Sequence, residues 1–428
     1  MQTPIARRVF LRQSTVVAGG LGVGLQLVSP RVLAASQRVR LAIMGVNGRG
    51  SDLAGGFAAR PDVDIVYACD PDERAWQKAF TAVARRQTTA PRGVRDFRRS
   101  LEDPDVDALV IAAPDHWHGP ATLLACAAGK HVYVEKPACH NPREGEWMIA
   151  AARRHQRVIQ VGTQRRSLPQ IIEAMEKVRS GAIGRVRFSR GWYSARRGGI
   201  GRGQAVPVPD GLDWTLWQGP APERPFRDNI VHYQWHWFWH WGTGELGNNG
   251  IHALDLCRWG LGVDAPHRVT SGGGRYHFDD DQETPDTHVV TFDFGDRAIA
   301  WEGRSCHPRG YEGSSFGAAF YGDQGTLVTD GSSYTIFDSA DKEVAKVAGS
   351  GSDALHLQNF LDCVRGGGRP NADAEAGHWG SLLCHLGNIA WRVGRTLDCD
   401  PQTGRILRDP EAMTLWGREY RPGWEPAA

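Results

Sequence analysis

Short apolar runs recur through the first 162 residues of this chain, separated by stretches in which apolar positions return with helical spacing. Apolar runs that stop at turn residues predict buried strands, here over 39–44, 63–69, 108–113, 131–134 and 157–161. The stretches between them predict helices over 50–59, 118–130 and 142–155. Strands that alternate with helices indicate an α/β fold with a parallel, doubly wound sheet.

The pattern changes after residue 162. A strand is predicted over 185–193, and helices are predicted over 168–184, 354–364 and 374–393. Residues 265–348 alternate apolar and polar positions, with turns at Gly295-Asp296 and Gly322-Asp323, which indicates an antiparallel sheet. Residues 195–228 are rich in Gly, Pro and Arg and are predicted to form a long loop over a site. Residues 395–428 are predicted to form a tail on the surface.

The composition is that of an ordinary globular protein, with 41% hydrophobic and 23% charged residues and enough length for two domains. The formal net charge is +2, and four arginines but no acidic residue precede position 36. The rest of the chain is therefore slightly acidic, which argues against nucleic acid or an anionic membrane as a partner.

The first 35 residues have the features of a twin-arginine export signal. The run RRVFLR at 7–12 is followed by an apolar stretch over 16–28, and small residues predict cleavage near Ala34 or Ala35. Export would place the protein in the periplasm or outside the cell; an amphipathic N-terminal helix is the alternative. No later run reaches about 18 apolar residues, so neither a transmembrane helix nor a membrane partner after export is expected.

Eight cysteines occur without a C-x-x-C pair. In an oxidising compartment they could form disulfides. Cys69, Cys126 and Cys257 lie in apolar runs, however, which is typical of buried free thiols.

A glycine-rich turn, Gly45-Val-Asn-Gly48-Arg-Gly50, joins the first predicted strand to the first helix. Such a turn can hold a phosphate at the helix N-terminus, although any tight strand–helix turn would use the same glycines. Asp70 ends the second strand, where a carboxylate accepts hydrogen bonds from both ribose hydroxyls of a dinucleotide. A carboxylate there repels a 2′-phosphate and favours NAD, while Arg74 nearby keeps NADP possible.

Polar residues also follow the next strands, in Pro114-Asp-His-Trp-His118 and in Glu135-Lys136-Pro137. Ligands of a doubly wound sheet lie beyond the carboxyl ends of its strands, so both groups are expected at the cofactor. A lysine whose charge burial lowers can carry a proton. For the histidines, helix capping or surface packing is the alternative. The predicted cofactor-binding residues are Gly45, Asn47, Gly48, Arg49, Gly50, Asp70, Pro114, His118, Glu135, Lys136 and Gln164.

The segment WHWFWHW at 235–241 is unusually aromatic. Aromatic faces stack on sugar rings and imidazoles bond to hydroxyls, so His236 and Trp239 are predicted to bind the substrate, with Tyr193 reaching it from the adjoining strand. Core packing is the alternative. His232, His236 and His240 have the i, i+4 spacing of helical metal ligands. No metal site is predicted, because no carboxylate shares that spacing and the run could equally be extended.

The chain resembles the glucose–fructose oxidoreductase / inositol dehydrogenase (Gfo/Idh/MocA) family over nearly its whole mature length. The motifs that carry the resemblance follow in this order: G-x-x-G-x-G, Asp70, Pro114-Asp-His-Trp-His118, Glu135-Lys136-Pro137, Gly250-Ile-His252-Ala-Leu-Asp255 and Arg369-Pro-Asn-Ala-Asp373. The resemblance implies an NAD-binding Rossmann domain over 37–162 and a C-terminal α/β domain with a large, mostly antiparallel open sheet over 163–394, followed by the tail over 395–428. It also implies that Lys136 and His252 act on the substrate.

One position departs from the family pattern, which often has an aspartate four residues before that histidine. This chain has Asn248, whose amide can orient a hydroxyl but cannot take its proton. Proton transfer would then depend more heavily on His252 or Lys136. The spacing places Asn248, His252 and Asp255 on one helix face, where Asn248 and Asp255 are predicted to bind the substrate. Packing of that face on the domain boundary is the alternative.

Three functions are compatible with these features. The first is an NAD(P)-dependent dehydrogenase of a sugar, cyclitol or polyol, and the second is an NAD-dependent glycosidase, as some exported relatives are, in which transient oxidation drives elimination without net redox change. The third is a non-enzymatic sugar-binding protein, supported by the missing aspartate at Asn248. Arg165 and Arg166 either bind an acidic group or are solvated. An open sheet often pairs with a second subunit, so a homodimer or homotetramer is expected.

Overall fold

The computed structural model describes residues 38–426, and the predicted export signal over 1–35 lies outside the described residues. The N-terminal strands are β1 (Val39–Met44), β2 (Val63–Cys69), β3 (Arg92–Val94), β4 (Ala108–Ile111), β5 (His131–Val134) and β6 (Ile159–Val161). They form a six-stranded parallel sheet in the order β3-β2-β1-β4-β5-β6, called here the N-terminal sheet. The strand order switches between β1 and β4, because β2 and β3 lie on one side of β1 and β4, β5 and β6 lie on the other. At such a switch point the carboxyl ends of the parallel strands leave a crevice for a ligand.

The connections between these strands are helical. Their helices are α1 (Arg49–Ala58), α2 (Glu73–Ala84), α3 (Arg98–Leu101), α4 (Asp115–Ala127) and α5 (Pro142–His155). Leu53 and Phe57 of α1 pack with Ala79 of α2 on one face of the sheet. Met148 of α5 packs with α4 on the other face. The predicted doubly wound sheet is confirmed.

Two local predictions in this part were incomplete. Helix α2 and strand β3 were not predicted, although Ala75, Ala79 and Val83 have helical spacing and Asp72 caps the helix by accepting from the Arg74 N–H. Helix α4 begins at Asp115 rather than at residue 118. An acidic residue in the first turn complements the helix dipole, so the polar residues after β4 belong to the helix and not to a loop.

The C-terminal part is built on a second sheet. Its strands are β7 (Val186–Ser194), β8 (Arg268–Gly274), β9 (Thr287–Asp293), β10 (Ala298–Arg304), β11 (Phe316–Gly322), β12 (Gly325–Thr329), β13 (Tyr334–Asp338), β14 (Glu343–Val347) and β15 (Leu397–Asp398). The nine strands lie in the order β14-β13-β12-β11-β7-β10-β9-β8-β15, and the β7–β10 pair is parallel while the other pairs are antiparallel. The predicted large, mostly antiparallel sheet is confirmed, as are the turns at 295–296 and 322–323.

Helices cover one face of this C-terminal sheet. The helices of this part are α6 (Pro169–Arg179), α7 (Trp214–Gln218), α8 (Ile251–Leu261), α9 (Ala354–Val364), α10 (Ala374–Val393) and α11 (Pro410–Thr414). α6, α8 and α10 share a core with the sheet. By contrast, Leu357, Phe360 and Leu361 of α9 pack into the core of the N-terminal sheet. The two halves of the described chain are therefore joined by shared packing as well as by the chain.

The tail after residue 394 corrects a prediction. It was expected on the surface, but Trp416 and Ala412 are fully buried in the C-terminal core, and Leu397 pairs with Val269 at the sheet edge. The apolar residues of this segment are widely spaced and follow neither a helical nor a strand period, so their burial leaves no periodic signal.

Residues 195–241, called here the strap, leave the C-terminal sheet after β7 and cross to the N-terminal sheet. The strap has a small hydrophobic core of its own, formed by Ile200, Leu212, Trp214, Trp217, Ala221, Phe226, Ile230, Trp235, Trp237, Phe238 and Trp241. Its Leu212 pairs with Asp72, directly after β2, and the Gly211 carbonyl accepts from the Glu73 N–H at 3.1 Å. This packing makes the strap an ordered layer over the carboxyl ends of the parallel strands.

The remaining global expectations concern thiols, membranes and assembly. All eight cysteines are free, and all but Cys306 are buried, which confirms the free-thiol interpretation. Across residues 38–426, no helix is both long and apolar enough to cross a membrane. The expected homodimer or homotetramer stays a prediction, because the structure is of one chain.

Candidate active site

A cavity of about 440 Å³ lies between the carboxyl ends of the parallel strands and the strap. Many of the residues predicted from sequence line this cavity: Gly45, Asn47, Gly48, Arg49, Asp70, Pro114, His118, Glu135, Lys136, Gln164, His236 and Asn248. Others that were predicted do not line it: Gly50, Tyr193, Trp239, His252 and Asp255. The structure therefore brings the expected cofactor residues together and separates several expected substrate residues from them.

The glycine turn fits a dinucleotide phosphate. Gly45 has a φ of +81°, and a Cβ there would lie 2.6 Å from the Ala113 nitrogen. A Cβ on Gly50 would overlap the Gly45 carbonyl oxygen, so Gly50 keeps the turn tight from behind. A Cβ on Gly48, in contrast, would meet nothing within 4 Å. The first turn of α1 has no side-chain cap, and its open N–H groups beside this space can bind a phosphate.

Asp70 is buried at the end of β2 and lines the cavity. Its carboxylate accepts from the Val46 N–H at 2.8 Å and from the Asp72 N–H at 3.0 Å. Burial raises the pKa of Asp70 to about 6, against the opposing effect of these two N–H groups. Each carboxylate oxygen has a second lone pair, so the ionised group can still accept from ribose hydroxyls.

Asp72 holds both Arg74 and the strap. Arg74 donates to the two oxygens of Asp72 at 2.8 and 2.6 Å, and His232 of the strap lies 2.8 Å from the same carboxylate. The Asp72 side chain is fully buried. Arg74 is the residue that left NADP open as the cofactor. Its guanidinium is paired with Asp72, a carboxylate beside Asp70.

Lys136 lies at the opposite end of the cavity, after β5. Its ammonium donates to the backbone oxygen of Asn248 at 2.7 Å and to the Asn248 Oδ1 at 3.0 Å. Asn248 lies in a π-helical turn, Leu246–Gly250, immediately before α8, and its Nδ2 is buried without a partner. Burial lowers the pKa of Lys136, and the charges of Glu135 and Asp115 only partly oppose that effect. A lysine in this setting exchanges protons more readily than a solvated one.

Glu135 and Arg49 fix the strand end beside Lys136. Arg49 donates to Glu135 at 2.8 Å and to Asp353 at 2.5 Å, which ties the glycine turn to the residue before α9. Although burial favours the neutral guanidine, the charges of Glu135 and Asp353 outweigh it and raise the pKa of Arg49. The Arg49 side chain is therefore a fixed positive group next to the glycine turn.

His118 and Asp115 position the first turn of α4. The His118 Nδ1 lies 2.6 Å from the Pro137 carbonyl oxygen and its Nε2 lies 2.8 Å from that of Ala113. Carbonyl oxygens only accept, so the ring donates to both when it is doubly protonated. Asp115, whose pKa is raised by burial, accepts from the Thr243 hydroxyl at 2.6 Å.

His252 and Asp255 lie behind the cavity on α8. His252 is buried, and burial together with the charges of Arg165 and Lys136 lowers its pKa well below the usual range, which keeps the ring neutral. Asp255 was predicted to bind the substrate, but it accepts two hydrogen bonds from Arg166 at 2.7 and 2.8 Å. The helical spacing placed Asp255 on the same face as Asn248 and His252. Its carboxylate, however, binds Arg166 and does not line the cavity.

The strap supplies the wall that sequence reasoning mostly missed: Leu216, Trp217, His232, Tyr233, Trp235 and His236. The Trp217 carbonyl accepts from the Trp117 indole at 3.0 Å and from the His116 ring at 3.1 Å, which fastens this wall to α4. His236 stacks on Trp235 at 3.6 Å. The predicted loop lies over the cavity, although from this segment only His236 and Trp239 were predicted to bind the substrate, and of these two His236 lines the cavity.

Tyr193 and Trp239 lie elsewhere. Tyr193 accepts from Arg197 at 3.4 Å, and burial raises its pKa to about 12. Trp239 packs under the guanidinium of Arg392. The predicted substrate wall therefore consists of other aromatic residues, since side-chain direction in an irregular segment does not follow from the sequence.

The histidines with i, i+4 spacing have separate partners. His232 contacts Asp72, His236 donates from Nδ1 to the Tyr233 carbonyl, and His240 donates to that of Pro222. They do not share a helix, because the local structure is a short 3₁₀ turn, Gln234–Trp237. In the described chain, no three His, Cys, Asp or Glu side chains converge in a way that could hold a metal ion.

Comparison with known proteins agrees with this architecture. Residues 39–163 match the family profile described as oxidoreductase family, NAD-binding Rossmann fold. Residues 191–426 match the profile described as oxidoreductase family, C-terminal alpha/beta domain. Both profiles carry the name GFO_IDH_MocA, so both halves of the fold are matched in the order in which they occur.

Individual relatives are more distant. A glycosyl hydrolase family 109 protein of Saccharopolyspora erythraea is 33% identical over 211 residues, which are 44% of this chain and 46% of the relative, so the match spans about half of its length. The scyllo-inositol 2-dehydrogenase (NAD(+)) of Bacillus subtilis is 26% identical over 349 residues, 78% of this chain and 88% of the relative.

Among solved structures, a levoglucosan dehydrogenase in complex with NADH and levoglucosan superposes with a TM-score of 0.67 at 18% identity, covering 85% of this chain and 99% of the other. Identity this low shows a shared fold. The profile matches reach further, since one of them spans more than half of the sequence. The chain belongs to the Gfo/Idh/MocA family of oxidoreductases, with an NAD-binding Rossmann domain and the family's C-terminal α/β domain.

Proposed function

We propose that this protein oxidises a hydroxyl group of a sugar, cyclitol or polyol by hydride transfer to NAD. The observation that carries the proposal is the position of Lys136, whose pKa is lowered by burial, in the cavity that also contains Asp70 and the open side of Gly48. A proton-handling group and a dinucleotide cradle thus share one enclosed space.

The cofactor would be held by residues already positioned without it. The N–H groups at the start of α1 would bind the pyrophosphate, and Asp70 would accept from the adenosine ribose. Asp70 and Asp72 repel a 2′-phosphate, and Arg74 is bound to Asp72, which favours NAD over NADP. When bound, NAD supplies the hydride acceptor.

Lys136 would handle the proton of the reacting hydroxyl. A neutral amine accepts that proton as the hydride leaves, and a lowered pKa makes the neutral form accessible near neutral pH. Asn248 holds the lysine nitrogen in place and offers its partner-free Nδ2 to a substrate oxygen. His252, which lies behind this pair, is proposed as the second proton-handling residue, acting as a neutral acceptor.

A second function, NAD-dependent glycoside hydrolysis, is favoured by the strap. The strap encloses the cavity and is tied to both α4 and Asp72, which suits a cofactor that stays bound while hydride leaves and returns. In that reaction, oxidation of a sugar hydroxyl acidifies the neighbouring C–H, the aglycone is eliminated, water adds, and the hydride is returned. The similarity to a glycosyl hydrolase family 109 protein supports the same alternative.

We also propose that the segment over 1–35 directs export by the twin-arginine route, which transports folded proteins with their cofactor. A retained cofactor would be needed outside the cytoplasm, where free NAD is scarce. A fusion of residues 1–40 to a reporter that is active only after export tests this proposal. Replacement of Arg7 and Arg8 by lysine should abolish the signal, and export that persists would overturn it.

The decisive experiment separates the reactions. The full-length protein, purified with its nicotinamide quantified by absorbance, is incubated with free sugars, cyclitols and aryl glycosides. NADH formed in proportion to a free sugar or cyclitol supports the dehydrogenase, and aglycone released without net NADH supports the glycosidase. Sugar binding without either product would contradict both reactions and leave a binding protein.

A further inference from the structure

A second cavity, of about 470 Å³, adjoins the nucleotide cavity on the side of the C-terminal sheet. Arg49 and Gln164 line both cavities. The rest of its wall consists of Arg165, Leu168 and two turns, over 330–332 and 351–353. A molecule whose reacting hydroxyl lies near Lys136 could extend past Gln164 into this second space.

Arg165 differs from the arginine that follows it. Arg166 makes a two-pronged ion pair with Asp255. The Arg165 guanidinium lies 4.2 Å above the ring of Phe316, its Nε is buried without a partner, and in the described part of the chain its side chain makes no hydrogen bond or ion pair. Burial lowers the pKa of Arg165 to about 10, so the group is still a cation at neutral pH. The charges of Asp330, Asp353 and Asp255 partly oppose this effect of burial, but none of these carboxylates is within ion-pair distance of the guanidinium. A largely buried cation without an ion-pair partner is stabilised by a ligand that supplies one.

The other charges of this wall are already engaged. Asp330 accepts from the N–H groups of Ser332 and Ser333 at 2.8 and 2.7 Å and from their hydroxyls at 3.0 and 2.8 Å. Asp353 accepts from Arg49, which also donates to Glu135. Arg49 keeps one partner-free nitrogen, Nη2, but its charge is shared between these two carboxylates. Among the described residues that line the second cavity, Arg165 is the positively charged group that makes no ion pair. Its planar guanidinium matches the two oxygens of a carboxylate or of a phosphate.

We infer that Arg165 binds an anionic group on the substrate, so that the preferred substrate is an acidic sugar or polyol carrying a carboxylate or a phosphate. The inference rests on the proposed function for the reacting end of the molecule. Phe316 holds the guanidinium plane, and Gly331 permits its approach, because a Cβ there would fall on the Arg165 side chain. A neutral sugar in the same place would leave the guanidinium without an ion-pair partner.

Direct binding tests the inference independently of turnover. The full-length protein with NAD bound is titrated calorimetrically with a hexose, the matching hexuronate and the matching hexose 6-phosphate. At least one of the two anions should bind about tenfold more tightly than the hexose, as one charge-assisted pair implies. Arg165→Gln should abolish this preference. Arg165→Lys keeps the positive charge but not the planar set of N–H donors, so it should retain part of the preference.

Arg154→Gln, on the exposed side of α5, is the matched control and should leave the preference unchanged. The anion that binds more tightly identifies the group as carboxylate or phosphate. Equal affinity of the wild-type protein for all three ligands, or a preference that survives Arg165→Gln, would overturn the inference. Oxidation of the neutral hexose in that case would leave the proposed function standing, whereas anion binding without any oxidation would contradict the proposed function alone.

Discussion

Lys136 donates two hydrogen bonds to one residue, reaching the backbone oxygen of Asn248 at 2.7 Å and its side-chain oxygen at 3.0 Å. The two residues belong to different halves of the fold, since Lys136 follows β5 and Asn248 precedes α8. A helical carbonyl is normally occupied by an N–H of the following turn, and a π-helical turn changes that pattern. The departure from the family pattern at Asn248 therefore gives the lysine a neutral partner.

Replacement of Lys136 by alanine should lower turnover by at least about a hundredfold, because general acid–base catalysis contributes on that scale. NAD binding should change little, since the glycine turn and Asp70 are untouched. Steady-state kinetics and NAD titration measure the two effects separately. Lys177→Ala, an exposed lysine paired with Glu173, is the control. Near-wild-type turnover in Lys136→Ala would remove this residue from the mechanism.

Replacement of Asn248 by aspartate should move the pH profile. Burial lowers the pKa of Lys136, and an added carboxylate beside the ammonium would raise it again, because an opposite charge favours the charged form. The rising limb of activity, which needs the neutral amine, should then shift to higher pH by about one pH unit. Asn371→Asp makes the same change at an exposed site. An unchanged limb in Asn248→Asp would show that another group titrates there.

Affinity for NAD should depend on the ionisation of Asp70. Its pKa is raised by burial to about 6, and only the ionised carboxylate accepts from both ribose hydroxyls. Affinity should therefore weaken as the pH falls through 6, by roughly tenfold between pH 7 and pH 5. Fluorescence titration across this range measures it. Asp70→Asn should flatten the profile and bind NAD more weakly at pH 7; a wild-type profile that is flat would contradict this role.

The cofactor half of the site could be predicted because each residue is tied to a strand end. Gly45, Gly48 and Asp70 follow directly from the βαβ pattern, and in a parallel sheet all carboxyl ends lie at one edge. Lys136 was found in the same way. Local pattern and topology are enough here, since no long-range side-chain contact decides where these residues lie.

The substrate half could not be predicted in the same way. Helical spacing identified the face that carries Asp255 but not Arg166, which comes from a distant turn and pairs with it. Trp217 and His232 reach the cavity through an irregular segment whose direction is set by contacts with α4 and Asp72. Such contacts have no period in the sequence, which is why the strap was recognised only as a loop over a site.

Breaking the Arg166–Asp255 pair should lower the stability of the fold rather than change which substrate is bound. Both side chains are buried, with 9% and 4% exposed, and removing Arg166 leaves the buried Asp255 carboxylate with only the more distant Arg258, at 3.6 Å. Arg166→Met should therefore lower the free energy of unfolding by about 3–5 kcal/mol in urea titrations. Glu146→Gln removes the exposed pair with Arg405 and should cost at most about 1 kcal/mol. A stable Arg166→Met protein with weakened sugar binding would instead restore Asp255 as a substrate residue.

Loss of the His232–Asp72 contact should release the cofactor faster. His232 lies 2.8 Å from a carboxylate that Arg74 also holds, so His232→Ala loosens the strap while Asp72 stays paired and the fold is kept. A hydrogen bond to a charged group contributes about 1.5–3 kcal/mol, which predicts a dissociation rate for NAD at least about tenfold higher. Stopped-flow measurement with an NAD-consuming enzyme as a trap gives this rate. His277→Ala, at an exposed histidine, should leave it unchanged. Equal rates in His232→Ala and the wild-type protein would show that the strap does not retain the cofactor, and would remove the structural support for a hydride that returns to its substrate.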